Sequence, residues 1–140
     1  MNTEEYTIQG SCGKYERKCW LIRGPKENTH PLCLFLDAEH YINVEPSTGN
    51  MNALPVIESM LKSEKVPSMT FVFVTHISGA ARHEDYTCNP QYAKFIANDV
   101  VEWARKKVPS ITSKNNVICG LSLSGLLSAY ITLNYPKTLS

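Results

Sequence analysis

No apolar run in this 140-residue chain approaches the length needed to span a bilayer. Residues 1–10 are polar and slightly acidic rather than basic then apolar, so neither a transmembrane helix nor a secretory leader is expected. A surplus of charge is equally missing. Fourteen Lys and Arg set against thirteen Asp and Glu leave a net charge of +1, which excludes the polybasic stripe of a nucleic-acid binder or an anionic-membrane binder. The five cysteines, Cys12, Cys19, Cys33, Cys88 and Cys119, are odd in number and contain no C-x-x-C pair. Cys19, Cys33 and Cys119 lie in apolar strand-like runs, where a thiol behaves as a small hydrophobe. A disulfide frame and a structural zinc are therefore not expected, and a reducing cytoplasmic setting fits. None of the four histidines, His30, His40, His76 and His83, stands at ligand spacing from another histidine or a cysteine, so no metal site and no cofactor are expected. Internal repeats and low-complexity segments are absent, and the 18 residues after Ser122 hold no Asp, no Glu and no His.

What is present is the composition of one ordinary globular domain over residues 1–140, 43% hydrophobic and 19% charged. Tyr6 to Ile8 and Tyr15 to Arg23 read as two extended segments around a Gly10-Ser11-Cys12-Gly13 turn, and the alternation in the second predicts an antiparallel hairpin. After the Pro-containing loop Gly24 to Pro31, Leu32 to Leu36 is a continuous apolar run ending at Asp37, the pattern of a strand buried on both faces. Asp37 to Asn50 reads as a long loop. Asn52 to Lys65 reads as a helix that tolerates Pro55 only because it falls in the first turn. Met69 to Ile77 is β-branched and aromatic and reads as the next buried strand.

Ser78 to Asn89 reads as a second polar loop. Asn89-Pro90 then opens a helix to about Lys107, with Tyr92, Phe95, Ile96, Val100 and Trp103 on its buried face and a basic C-terminal end. Strand and helix thus alternate from Leu32 onward, which predicts a parallel α/β sheet with helices on both faces.

The stretch from Asn116 to Tyr135 carries the functional reading. Val117 to Cys119 is a short apolar strand, Gly120 to Gly125 a small-residue turn, and Leu126, Leu127, Tyr130, Ile131 and Leu133 mark a buried helix. Ser122 stands at the apex of that turn. A serine on a tight strand-to-helix turn projects its hydroxyl clear of the sheet, beside helix N-terminal amides that can stabilise an oxyanion. The alternative is that Ser122 or Ser124 is the helix N-cap and nothing more.

Three stretches together resemble one family, the esterases of the α/β-hydrolase fold that include enterochelin esterase. Leu36-Asp37-Ala38-Glu39-His40-Tyr41 is similar to that family's strand-ending L-D-G-E-x-W. Arg82 to Pro90 is similar to its R-x-x-(D/E)-(Y/L)-T-x-N-P, and Gly120-Leu121-Ser122-Leu123-Ser124-Gly125 to its G-x-S-x-G-G elbow. Ala38 and Ser124 each replace a family glycine with another small residue. The resemblance implies Ser122 as catalytic nucleophile, the backbone N–H groups of Leu123 and Ala38 as oxyanion hole, and Arg82 and Glu39 as contacts to a small-molecule ester. Two plainer readings stay open, Ala38 in a strand-end turn and Arg82 solvated or paired to a carboxylate such as Asp85.

In this fold the triad runs Ser, then Asp or Glu, then His. The expectation is therefore a truncated α/β-hydrolase fold: N-terminal antiparallel strands, then parallel β-α-β-α-β-α, ending after the elbow helix without the triad acid and base. Such a chain is expected to show little or no activity by itself. The competing expectations are a catalytically dead binding or assembly module on the same fold, and a thioesterase or acyltransferase. No nucleic-acid or membrane partner is expected, whereas self-association through strand 117–121 is.

Overall fold

The apolar run that begins at Leu32 lies in the parallel part of a five-stranded sheet. The computed structural model describes residues 2–42 and 52–139, so most of the expected loop from Asp37 to Asn50 lies outside the described residues. Five strands, β1 (Glu4–Gln9), β2 (Glu16–Ile22), β3 (Leu32–Phe35), β4 (Thr70–Val74) and β5 (Val117–Cys119), are ordered β1-β2-β4-β3-β5. The expected hairpin is formed, with β1 antiparallel to β2 in the register Tyr6↔Cys19, and β2 in turn antiparallel to β4. β3 pairs in parallel with β4 and with β5.

Successive side chains of a strand point to opposite faces, and each face has its own core. Leu21, Leu32, Leu34, Leu36, Val72, Val74 and Ile118 pack on one face with Tyr86, Tyr92, Phe95, Ile96, Val100, Leu127 and Ile131. Ile22, Cys33, Phe71 and Phe73 pack on the other, joined by Leu54, Ile57 and Leu61. Fully burying a side chain of this size stabilises by about 1.5–3 kcal/mol, so helices on both faces are required to cover a sheet this apolar.

Helix α1 (Leu54–Lys62) covers the second face, with Pro in its first turn as expected. Helices α3 (Pro90–Lys94), α4 (Val101–Lys107) and α5 (Leu123–Asn134) belong to the first. The predicted helix from Asn89 to Lys107 is one continuous rod whose middle, Phe95–Val100, is wound as a π-helix between α3 and α4. Asn89 caps it, its side-chain oxygen accepting from the N–H of Gln91 and of Tyr92.

One expectation is overturned. The supposed polar loop after β4 contains helix α2 (Gly79–Tyr86), capped by Ser78, whose hydroxyl accepts from the Ala81 N–H. Only Asp85 and Tyr86 of this helix are buried, too little apolar surface for a periodic signal. Nor is Asp85 the partner of Arg82. It pairs with Arg17 of β2 at 2.6 Å, both side chains being buried and the guanidinium lying over the rings of Tyr15 and Tyr92.

The chain leaves β3 for α1 on one face and leaves β5 for α5 on the other, so connections diverge between these two adjacent strands. In an open α/β sheet the crevice outside the carboxyl ends at such a point is where ligands bind.

Candidate active site

Ser122 follows β5 after Gly120 and Leu121 and is exposed, with φ 58° and ψ −117°. A non-glycine residue held there costs on the order of 1–3 kcal/mol and persists only where the surroundings enforce it. The enforcing contacts are local. Gly120 passes so close to the first turn of α5 that a β-carbon would meet the Ser124 carbonyl. Ser124, fully buried at the family's glycine position, accepts from the Leu121 N–H at 2.7 Å and donates back to the Leu121 carbonyl at 2.9 Å. Serine is thus accommodated where glycine was expected because its hydroxyl closes the turn on itself. The Ser122 side chain makes no capping hydrogen bond to α5, so the helix-cap reading does not account for it.

The facing wall comes from the end of β3. In register, Phe35 lies beside Cys119, and the Leu36 N–H donates to the Cys119 carbonyl. Ala38 and Ser122 therefore follow equivalent ends of neighbouring parallel strands. The first N–H groups of a helix have no partner within it. Among the described residues no acceptor is paired with the N–H of Leu123, which starts α5, or with that of Ala38, which starts the 3-10 turn Ala38–His40.

Between these walls stands Asp37, at φ 56° and with no exposed surface. Arg82 grips both its oxygens, Nε to Oδ1 and Nη2 to Oδ2, each at 2.8 Å, and the same Nη2 reaches the Leu121 carbonyl at 3.4 Å. His76 Nδ1 lies 2.8 Å from Asp37 Oδ1, and the Asp37 N–H donates to the Tyr86 hydroxyl at 3.2 Å. Burial alone would push this carboxyl up, but the side chains of Arg82, Ser124 and His76 outweigh it and hold Asp37 below the usual aspartate value. An ionised carboxylate only accepts, so the His76 Nδ1 carries the proton in this contact.

Glu39 is held at the end of β4, where its two oxygens accept from the His76 backbone N–H at 3.1 and 3.0 Å. Ile77, next along, has φ 72° and is 61% exposed. Each of the parallel strands β3, β4 and β5 is thus followed by a non-glycine residue at positive φ, Asp37, Ile77 and Ser122, at one end of the sheet.

Of the residues singled out from the sequence, Ser122, Leu123, Ala38, Arg82 and Glu39 all stand at this sheet end. Arg82 projects from a helix rather than a loop, with its charge directed at Asp37. His30 lies at the opposite end, before β3, its Nε2 2.7 Å from the Thr70 hydroxyl, and His83 is exposed on α2. The sequence reading assigns no role in the site to Asp37, His76 or Tyr86, although an acid closing a doubly buried strand is itself a signal that a partner must exist.

A family model named Esterase and described as "Putative esterase" matches residues 21–140. No curated protein sequence matches the chain. Among solved structures, enterochelin esterase from Shigella flexneri superposes with a TM-score of 0.88 at 20% identity over 100% of this chain and 34% of its own. Ferric enterobactin esterase from Salmonella typhimurium gives 0.85 at 19% identity over 99% and 34%. An IroE-like serine hydrolase from Shewanella oneidensis gives 0.71 at 16% identity over 99% and 48%. At these identities the likeness is one of fold. The chain spans about a third of the length of the first of these enzymes, 34%. No helix among the described residues is long and apolar enough to cross a membrane.

Proposed function

Because the chain belongs to the Esterase family, we propose that it carries the nucleophilic part of a serine carboxylic-ester hydrolase of the enterochelin esterase-like kind, acting on a small-molecule ester. The observation that carries this reading is Ser122 itself, exposed at φ 58° and ψ −117° on a strand-to-helix turn that Gly120 and Ser124 hold shut. In the proposed reaction the Ser122 Oγ attacks the ester carbonyl carbon, and the oxygen that gains the charge is received by the N–H groups of Leu123 and Ala38. Collapse of the tetrahedral species expels the alcohol and leaves an acyl-serine for water to release. Asp37 and Arg82 brace the two walls, the guanidinium tying the end of β3 to the Leu121 carbonyl beside the nucleophile. Arg82 and Glu39, whose side chains are 22% and 34% exposed, would contact the substrate from the same sheet end.

The serine proton needs a base, and a serine without one is a weak nucleophile at neutral pH. Among the described residues no histidine bonds to Ser122. His76 is engaged by Asp37, and His30 lies at the far end of the sheet. The base is therefore proposed to come from outside the described residues, and residues 1–140 alone to turn over esters slowly.

The test is hydrolysis of p-nitrophenyl acetate by residues 1–140 and by the same residues joined to the C-terminal part of a relative, each against its Ser122→Ala variant. The short chain should match its variant, and the joined protein should lose its activity on substitution. Turnover in the joined protein that survives Ser122→Ala would remove the nucleophile assignment. Efficient Ser122-dependent turnover by residues 1–140 would instead show that one of the chain's own histidines serves as base.

A further inference from the structure

On the face of the sheet that α1 covers, Cys33 of β3 and Cys119 of β5 bring their sulfurs to 3.8 Å from each other. We propose that this pair is a modification site for peroxide-class oxidants, which close it into a reversible disulfide that ties β5 to β3 and displaces the elbow. The proposal does not rest on the ester-hydrolase reading, and either can fail without the other. Register brings the pair together: Cys33 lies opposite Val117 and Phe35 opposite Cys119, so the two cysteines are diagonal neighbours on one face of two adjacent strands.

The two sulfurs are not equivalent. Cys33 is 6% exposed, whereas Cys119 is half-buried. Burial penalises a thiolate, so the proton of their hydrogen bond stays on Cys33, the more deeply buried of the two. Donation from Cys33 holds the Cys119 thiol below its usual value, while the same contact and burial push Cys33 up. The thiolate is the nucleophile, so Cys119 reacts first and Cys33 resolves it. The Cys119 sulfur attacks one peroxide oxygen, the O–O bond breaks, and a sulfenic acid forms. Hydroxide leaves and takes up the proton that Cys119 had released. The Cys33 sulfur then attacks the Cys119 sulfur, the S–O bond breaks, and the oxygen departs as water with the Cys33 proton. The two sulfurs together lose two electrons, and the peroxide gains them.

Bridging moves the backbone. A disulfide holds its sulfurs about 2.05 Å apart and spans α-carbons about 4.4–6.8 Å apart, whereas diagonal neighbours in a sheet have α-carbons about 7–8 Å apart. One strand must therefore yield. β3 is held between β4 and β5, while β5 is a three-residue strand, Val117–Cys119, that pairs only with β3 among the described residues, so β5 is the strand that shifts. The residue after Cys119 is Gly120, whose backbone abuts that of Ser124 and Gly125. Displacement of β5 is passed through this contact to the first turn of α5 and to the 2.7 Å bond from the Leu121 N–H to the Ser124 hydroxyl that closes the elbow. A bridge strained in this way is easily reduced, which makes the change reversible.

The test treats the folded, fully reduced chain with hydrogen peroxide and maps the products by mass spectrometry. A peptide joining Cys33 to Cys119 within one chain is expected, two hydrogens lighter than its reduced parts and separated again by a dithiol reductant. Cys19, fully buried and with its thiol pushed up to about 12 by burial, should stay reduced and so reports that the chain reacted while folded. Cys33→Ser should stop at a sulfenic acid on Cys119 that dimedone traps, and Cys119→Ser should slow oxidation of Cys33 about tenfold or more. Because either variant could fail to fold, a further measurement uses the unaltered chain: deuterium exchange over residues 120–126 should be about tenfold or more faster in the bridged than in the reduced form, with β4 unchanged. Oxidation of Cys19 in step with the pair, overoxidation of Cys119 without a bridge, a bridge between two chains, or equal exchange in the two forms would each overturn the proposal.

Discussion

Replacing Gly120 by alanine probes the elbow without touching Ser122. A β-carbon at this position would lie 2.2 Å from the Ser124 oxygen, 2.3 Å from the Ser124 carbonyl carbon and 2.7 Å from the Gly125 nitrogen. All three atoms are backbone of the first turn of α5, so none can swing aside as the end of a side chain could. Relief requires β5 and α5 to separate or Ser122 to leave its positive-φ conformation. Backbone torsion is not the issue at Gly120, whose φ is not positive; among the described residues the positive-φ glycine is Gly13. Overpacking a well-packed site costs about 1–3 kcal/mol, and a clash confined to backbone belongs at the upper end, about 3 kcal/mol. Against a typical total stability of about 5–15 kcal/mol that is a large fraction.

The control is Gly79→Ala at the start of α2, where a β-carbon meets nothing within 4 Å; it should be neutral or stabilising by up to about 0.5 kcal/mol. Urea unfolding followed by circular dichroism gives both values from shifts in midpoint at constant slope. In the protein joined to the C-terminal part of a relative, labelling of Ser122 by a fluorophosphonate should fall in Gly120→Ala and persist in Gly79→Ala. A Gly120→Ala protein within about 0.5 kcal/mol of the parent, labelled at the parental rate, would show that the close approach does not hold the elbow.

Arg82→Ala should destabilise by about 3 kcal/mol in the same assay, because it leaves the Asp37 carboxylate buried without its cation; Arg82→Lys should recover only part, since a single ammonium cannot reproduce the two-pronged grip. The same carboxylate sets a pH dependence. Its pKa is lowered on folding, so its contribution is fully present above the unfolded value of about 3.9 and is lost as pH falls below that toward the folded value; Asp37→Asn should flatten this acid limb of the stability profile. Lastly, β5 pairs only with β3 among the described residues, and Val117, Leu121, Leu126 and Leu133 are 36%, 58%, 47% and 81% exposed. Light scattering after size exclusion should find residues 1–140 associating with concentration, and less so in Val117→Lys; a sharp monomer peak for the parent would refute it.

The strands and long helices were legible because burial leaves a periodic trace. Leu32 to Leu36 is apolar at every position, since helices cover both sides of β3, and in the first half of β2 buried Arg17 and Cys19 alternate with exposed Glu16 and Lys18 because only one side is covered there. Helix α2 left no such trace. Its buried residues are Asp85 and Tyr86 at the very end, and the serine, glycine and charged residues around them read as loop. That single error displaced the reading of Arg82. On a loop, a carboxylate three residues away is a natural partner. On this helix, Asp85 turns inward to Arg17 while Arg82 reaches across to Asp37, 45 residues away in sequence.

The site divides in the same way. Everything about the elbow is local: a small residue where backbones touch, a serine at the apex, and a helix start whose Leu123 N–H has no partner among the described residues. A motif of six residues can carry that much because the geometry it encodes spans six residues. The corner of Asp37, His40, His76 and Glu39 is not local. It exists because β3 and β4 run parallel and in register, which sets the ends of two strands side by side and lets Asp37 meet His76 across 39 residues. Spacing along the chain within one helix or one hairpin is blind to this arrangement. In a parallel sheet the residues just past each strand end are neighbours whatever their separation in sequence. An acid or histidine there should be weighed against those at the ends of adjoining strands, and the sequence alone had no means of ordering β3 between β4 and β5.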